Sequence, residues 1–265
     1  MEQFTKNEIE MLATETIGQF QNQKWHSERL GRLKSAAMLD MIQLANLLKQ
    51  HERNHCPQLS AHLKNEIRLM RLKICTEKQI YDNAAVNWGI VHEIDGLQEY
   101  VHLTGNLIRK TGLWVYQSGY VTCSPDALVR SSKLLNRFDG IVEIKCPFSL
   151  RSKSQIDSAE WGNYLPYLTH DGKLNKAHRF YHRVQAEIFG TRTNWCDFFI
   201  WTPWQCLLIR VMRDEKWIQT NVPLVEMTME KYILPLLEVS ERPKYQGRML
   251  VPYDPNLFQE IYRRN

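Results

Sequence analysis

The sequence holds six cysteines, at positions 56, 75, 123, 146, 196 and 206, and no two of them form a Cys-x-x-Cys pair. That removes the zinc-ribbon and thiol-redox signatures and leaves isolated thiols. The opening stretch, MEQFTKNEIEMLATETIGQF, is polar and amphipathic where a secretory leader would be apolar, so reduced thiols and an intracellular protein are expected. No uninterrupted apolar run reaches membrane-spanning length, and no transmembrane segment is expected. His51, His55 and Cys56 fall together in HERNHC, but no second ligand pair stands at zinc spacing, and they read as a solvated helical face. There is no Gly-x-Ser-x-Gly elbow to turn Ser124 and His182 into a hydrolase triad. Internal repeats and low-complexity segments are also missing.

What is present is a chain of 265 residues with 43% hydrophobic content, enough for one large core. Lys and Arg exceed Asp and Glu by five, which favours a polyanionic partner, though a basic enzyme surface accounts for it as well. From about residue 5 to 80 the apolar positions recur at helical spacing, as in AAMLDMIQLANLLKQ and LKNEIRLMRLKI. A further helix is expected from residue 84 to Gly105. The texture then changes to short β-branched and aromatic runs, LWVYQSGYVTCS, DALVRSS, GIVEIKC, CDFFIWTP and CLLIRVM, expected to be strands of one sheet. Between them, 174–192 is helical to about Gly190. Residues 151–178 read as an irregular excursion, and 224–242 as a closing helix despite Pro235. Trp195, Trp201 and Trp204 read as core aromatics rather than a platform for bases.

The chemistry is concentrated in CSPDAL and GIVEIKC. Strand alternation places Ile141, Glu143 and Lys145 on one face and Val142, Ile144 and Cys146 on the other, so one face is expected to be core and the other to carry chemistry. A carboxylate and an ammonium in an apolar run need partners, and if the two strands are neighbours Asp126 converges on Glu143. Two carboxylates brought together repel unless a cation lies between them. Oxygen ligands without Cys or His suit a hard ion, Mg²⁺ or Mn²⁺, acting on a phosphodiester. Lys145 would then orient the attacking water or stabilise the charge on phosphorus. The pattern is loose, and a solvated ion pair on an exposed strand satisfies it too. Glu93, beside Asp95 and Glu99, and Gln185, on an amphipathic helix, read by themselves as ordinary helical surface residues.

Four blocks taken in order are more specific. WHSERLGRLKSA, WGIVHE, SPD with EIK, and YHRVQAEIFGTRTNWCDFFIWTP resemble motifs of the PD-(D/E)-x-K nuclease superfamily, in its phage lambda exonuclease and YqaJ-type viral recombinase branch, over roughly residues 25 to 205. The resemblance implies that Asp126, Glu143 and the Ile144 carbonyl hold the metal. Glu93 would contact a second ion or its water, and Lys145 and Gln185 would arrange the nucleophile. Arg29 is the position matching an arginine that meets the 5′ phosphate of a DNA end, with Arg32 and Ser35 as further DNA-binding residues of that block. The chain departs from the pattern in WVYQSGYVTCS, which offers Tyr116 and Gln117 where lambda exonuclease has a further aspartate, and in reading Lys34, Ser35, Ala36 where the family often has Thr-Ala-Ser.

The expected architecture is therefore α/β of the α+β type, a restriction-endonuclease-like core with a mixed central sheet flanked by helices. Residues 1–85 would form a helical wall of a DNA cleft, 86–220 the nuclease core and 221–265 a helical closing segment, all within one structural domain. The resemblance implies an Mg²⁺-dependent deoxyribonuclease, with Mn²⁺ as substitute, most simply a 5′-to-3′ exonuclease on duplex ends in recombination or replication-linked processing. An endonuclease or single-strand-specific nuclease of the same superfamily, and a non-catalytic DNA-end module, are the alternatives. The implied partners are DNA ends with a 5′ phosphate, a single-strand annealing protein and further copies of the chain, without a membrane. The location would be nuclear if the source is eukaryotic or a nuclear virus.

Overall fold

The first helix begins at a reciprocal cap. In a computed structural model, which describes residues 3–55, 58–76, 83–132, 136–157 and 160–237, the Thr5 side chain accepts from Glu8 N while the Glu8 carboxylate accepts from Thr5 N at 2.8 Å. Two orphan N–H groups are satisfied and α1 (Lys6–Glu15) follows. Asn22 caps α2 (Gln23–Arg29), and a short β1 (Leu33–Lys34) leads into α3 (Met38–Arg53). α3 buries Met38, Met41, Ile42, Ala45 and Leu48, and α4 (Ala61–Cys75) buries Leu63, Ile67, Met70 and Ile74. Both spacings are those of a single apolar helical stripe. α5 (Ala84–Thr104) ends at Gly105, whose φ of +65° is the left-handed cap that glycine adopts at no steric cost.

The strands are β2 (Leu107–Lys110), β3 (Trp114–Val115), β4 (Val121–Cys123), β5 (Ala127–Arg130) and β6 (Gly140–Lys145). The turn α6 (Trp161–Tyr164) and the helix α7 (Arg179–Thr191) follow, then β7 (Trp195–Trp201), β8 (Cys206–Met212) and α8 (Glu215–Thr228). They form two sheets rather than the single one expected: β1-β4-β3, and a mixed β2-β5-β6-β7-β8 in which only β6 and β7 run parallel. Ser124-Pro125 separates them. Proline has no N–H for a ladder, so the strand cannot continue through it, and the chain leaves one sheet at Cys123 and enters the other at Ala127. β2 was not anticipated, because its partly exposed Leu107–Lys110 carries no apolar run.

The closing helix starts earlier than expected, at Glu215. It widens to a π turn over Met229–Ile233 and tightens at Leu234–Leu236, where Pro235 interrupts the ladder. The rest of the expected segment lies outside the described residues, as does Cys56. Trp195 is buried and Trp201 partly so, but Trp204 is 59% exposed and is not core.

β6 is covered on both sides, which corrects the expectation of one core face. Val142 and Ile144 pack with Leu97, Tyr100 and Phe199 beneath α5, while Ile141 joins the larger core shared with the remaining helices, and α7 packs over its face. Gly96 permits the close approach of α5. A Cβ there would stand 2.6 Å from Ile144 Cγ2 and 3.3 Å from Trp201 Cβ. No described helix is long and apolar enough to cross a membrane.

Candidate active site

Pairing between β5 and β6 sets Ala127 opposite Val142, so the residue before β5 and the residue after Val142 meet at the end of the ladder. Asp126 takes the step that a strand residue would take, its Oδ2 accepting from Ile144 N at 2.6 Å. Glu143 is wholly buried on the α7 face. Its Oε1 receives Lys145 Nζ at 2.5 Å and Arg183 at 2.7 Å, while its Oε2 has no partner among the described residues. Lys145 Nζ also donates to Ile144 O at 2.9 Å. The helix α5 brings Glu93 to the same place. These groups, with Arg29, Lys34 and Ser35, line one cleft of about 620 Å³.

The electrostatics follow from this crowding. Burial, then Glu143 and Glu93, push the Asp126 carboxyl well above its ordinary value against Lys145 and Arg183. Burial and Glu143 likewise raise Glu93, opposed by Lys110, Lys145 and Arg183. A set of acids that resist ionising in their own company is poised for added positive charge. Among the described residues no three His, Cys, Asp or Glu side chains stand together at ligand spacing. The protein ligands available are two carboxylates and a backbone carbonyl, with Glu93 beside them.

Two candidates lie elsewhere. Arg32 is 1% exposed. It donates from Nε to Glu28 O at 2.8 Å and from Nη1 to the carbonyl of Gly119, and burial lowers its pKa to about 10 against the pull of Glu28. Such a guanidinium ties α2 to the β3–β4 turn and is not available to DNA. Gln185 is fully buried, with Nε2 on Met212 O at 2.9 Å and Oε1 accepting from Asp214 N at 2.9 Å. Both ends of its amide hold the β8–α8 junction, so it does not arrange a nucleophile. Ser35 does reach the cleft, but its hydroxyl donates to Glu187 Oε1 at 3.0 Å. Arg29 lies 3.5 Å over the Trp25 ring, and Trp25 Nε1 donates to Ser124 Oγ at 2.8 Å, which couples the arginine to the turn carrying Asp126.

The residues of α7 that face the acids are Arg183 and Glu187, which the sequence reading passed over. Positions 183 and 187 are one turn apart on a shared face, whereas 185 points to the other side, and that spacing was the available signal. Burial raises the Glu187 pKa to about 7 against the opposing effect of Arg183, with Glu143 adding to the rise. Burial works against the charge of Arg183, but Glu143, Glu187 and Asp126 outweigh it and raise its pKa.

Residues 24–170 match the YqaJ-like viral recombinase domain. No curated protein matches the chain. Among solved structures, the fold is similar to an alkaline exonuclease (LHK-Exo) from Laribacter hongkongensis, with TM-score 0.54, 22% identity and coverage of 81% of this chain and 96% of that one. The same protein in complex with dAMP aligns equally. A phage-related exonuclease from Haemophilus somnus 129PT aligns with TM-score 0.53 and 13% identity, covering 78% of this chain and 95% of that one.

Proposed function

The chain belongs to the YqaJ-like viral recombinase domain family, and from that premise we propose that it is a metal-dependent deoxyribonuclease, a 5′-to-3′ exonuclease degrading duplex DNA from its ends in recombination or replication-linked processing. One observation carries the reading: Asp126 and the buried Glu143 converge beside Lys145 in an open cleft, and one Glu143 oxygen has no donor among the described residues. The similar structures are of exonucleases, and one is a complex with dAMP, the class of product that stepwise DNA digestion releases.

The residues fit a hard divalent cation. Asp126, Glu143 and the Ile144 carbonyl would hold it, with Glu93 alongside. Mg²⁺ retains several waters, so a sparse all-oxygen set suits it, and Mn²⁺ is its natural substitute. When bound, the ion supplies Lewis-acid charge that neutralises the phosphate. Lys145 uses two of an ammonium's three donors on Glu143 and Ile144. The third serves the attacking water or the charge developing on phosphorus oxygens. Arg29, whose guanidinium lies over the Trp25 ring at the cleft wall, would receive a terminal 5′ phosphate.

The test is cleavage of a linear 5′-phosphorylated duplex beside the same DNA as a closed circle, with Mg²⁺, with Mn²⁺ and with EDTA, using wild type and Lys145→Ala. Metal-dependent loss of the linear DNA alone, abolished by the substitution, is the expected result. Cutting of the circle would make the chain an endonuclease, and binding without cleavage a DNA-end module.

A further inference from the structure

Arg183 forks between two wholly buried carboxylates. It lies 2.7 Å from Glu143 Oε1, and its Nε donates to Glu187 Oε1 at 2.8 Å. The same Glu187 oxygen also accepts from the Ser35 hydroxyl at 3.0 Å, while Glu187 Oε2 has no partner among the described residues. Arg183 is nevertheless not sealed in, since its side chain keeps 24% exposure and lines the cleft. Its contact with Glu143 duplicates the one that Lys145 makes to the same oxygen. Its contact with Glu187 falls on the oxygen to which Ser35 also donates, so the hydroxyl holds the carboxylate in place under the guanidinium. A guanidinium offers five N–H donors in a rigid fork, so an arginine held through Nε keeps its Nη groups for a second ligand. Stability alone does not require it, because a buried ion pair is often replaceable by apolar side chains at little cost.

Resting on the nuclease reading above, we propose that Arg183 is a catalytic residue: anchored through Nε by Glu187, it turns its Nη groups from Glu143 onto a non-bridging oxygen of the scissile phosphate. Two anionic oxygens would then compete for one fork, Glu143 being one of the residues that would hold the cation. Glu187 and Ser35 are positioning residues, holding the hinge about which the fork moves. Charge-assisted, paired N–H···O bonds to phosphate are what this side chain makes best.

The experiment uses the full chain and measures the single-turnover rate at saturating linear duplex with Mg²⁺, the DNA affinity in EDTA and the melting temperature. Arg183→Ala should lower the rate by roughly 10²- to 10³-fold, the usual loss for one donor to transition-state charge, with affinity changed far less. Arg183→Lys, and guanidinium ions added to Arg183→Ala, should each restore part of that loss. Glu187→Gln keeps the cation but loosens its anchor, so its rate should fall on the order of 10-fold without response to guanidinium. A rate for Arg183→Ala within about threefold of wild type overturns the assignment. So does a loss that follows the melting temperature and is recovered neither by lysine nor by guanidinium. If wild type and Lys145→Ala both leave DNA intact, the nuclease reading fails and this inference with it; if wild type cuts and Arg183→Ala cuts equally, only this inference fails.

Discussion

Ile144 N donates to Asp126 Oδ2 at 2.6 Å, so the acid after Ser-Pro is bonded to the residue between Glu143 and Lys145. A single hydrogen bond sets the separation of the two carboxylates, because Asp126 cannot retreat from Glu143 without giving up a backbone partner.

Asp126→Asn keeps an acceptor for Ile144 N and removes a charge that burial, Glu143 and Glu93 all disfavour. The metal-free protein is expected to melt at the same temperature or a few degrees higher, while cleavage is lost. Differential scanning calorimetry in EDTA, beside the duplex assay, checks both halves. A large fall in melting temperature would mean that the carboxylate is stabilising.

Glu187 is raised to about 7, chiefly by burial. A carboxyl whose folded pKa lies above its unfolded value of about 4.5 contributes stability that is complete below that value and is lost as pH rises through the folded pKa. In EDTA the melting temperature should therefore decline between about pH 5 and pH 8. Glu187→Gln should flatten that decline. A decline of equal slope in both proteins would assign it to other groups.

Arg29 and Arg32 should separate cleanly. Arg29→Ala is expected to leave folding intact, weaken preference for a 5′-phosphorylated end and reduce the salt slope of DNA binding by about one. Arg32→Ala leaves the Glu28 and Gly119 carbonyls without their donor and should cost on the order of 3 kcal/mol of stability, with the salt slope unchanged. Fluorescence anisotropy over a salt series and chemical unfolding make the comparison. A changed slope in Arg32→Ala would return that residue to the DNA surface.

Gly96→Ala puts a methyl 2.6 Å from Ile144 Cγ2. Overpacking of this kind costs about 1 to 3 kcal/mol, read by urea unfolding. Because α5 carries Glu93, cleavage should fall in the same protein even at temperatures where it stays folded. Unchanged stability would show that the helix moves aside freely.

Alternation alone placed Glu143 and Lys145 on one side of β6, and the turn chemistry of Ser-Pro placed Asp126 at the head of a strand; both depend only on near neighbours. What covers a strand is not local. Alternation puts Ile141 on the face expected to carry chemistry, and only assembly sets it in the larger core while Val142 packs beneath α5. Arg32 read as one of several cations on a helix, because nothing nearby announces that Gly119, far along the chain, will need its donor. Gln185 matched a motif residue, but its helical phase carries it to the β8–α8 junction and gives the cleft to Arg183.

The parallel pairing of β6 with β7 also has a kinetic side. Strands in that relation cannot be joined by a tight turn, and the long crossover between Lys145 and Trp195, which contains α7, must close before its contacts repay the lost entropy. The antiparallel β5–β6 pair needs no such crossover and can bring Asp126 to Glu143 early, whereas Arg183 arrives only with the crossover. A chain arrested between those two events would hold Asp126 against Glu143 before the guanidinium that links Glu143 to Glu187 had arrived, so the last partner of the buried acid depends on the slowest pairing in the sheet.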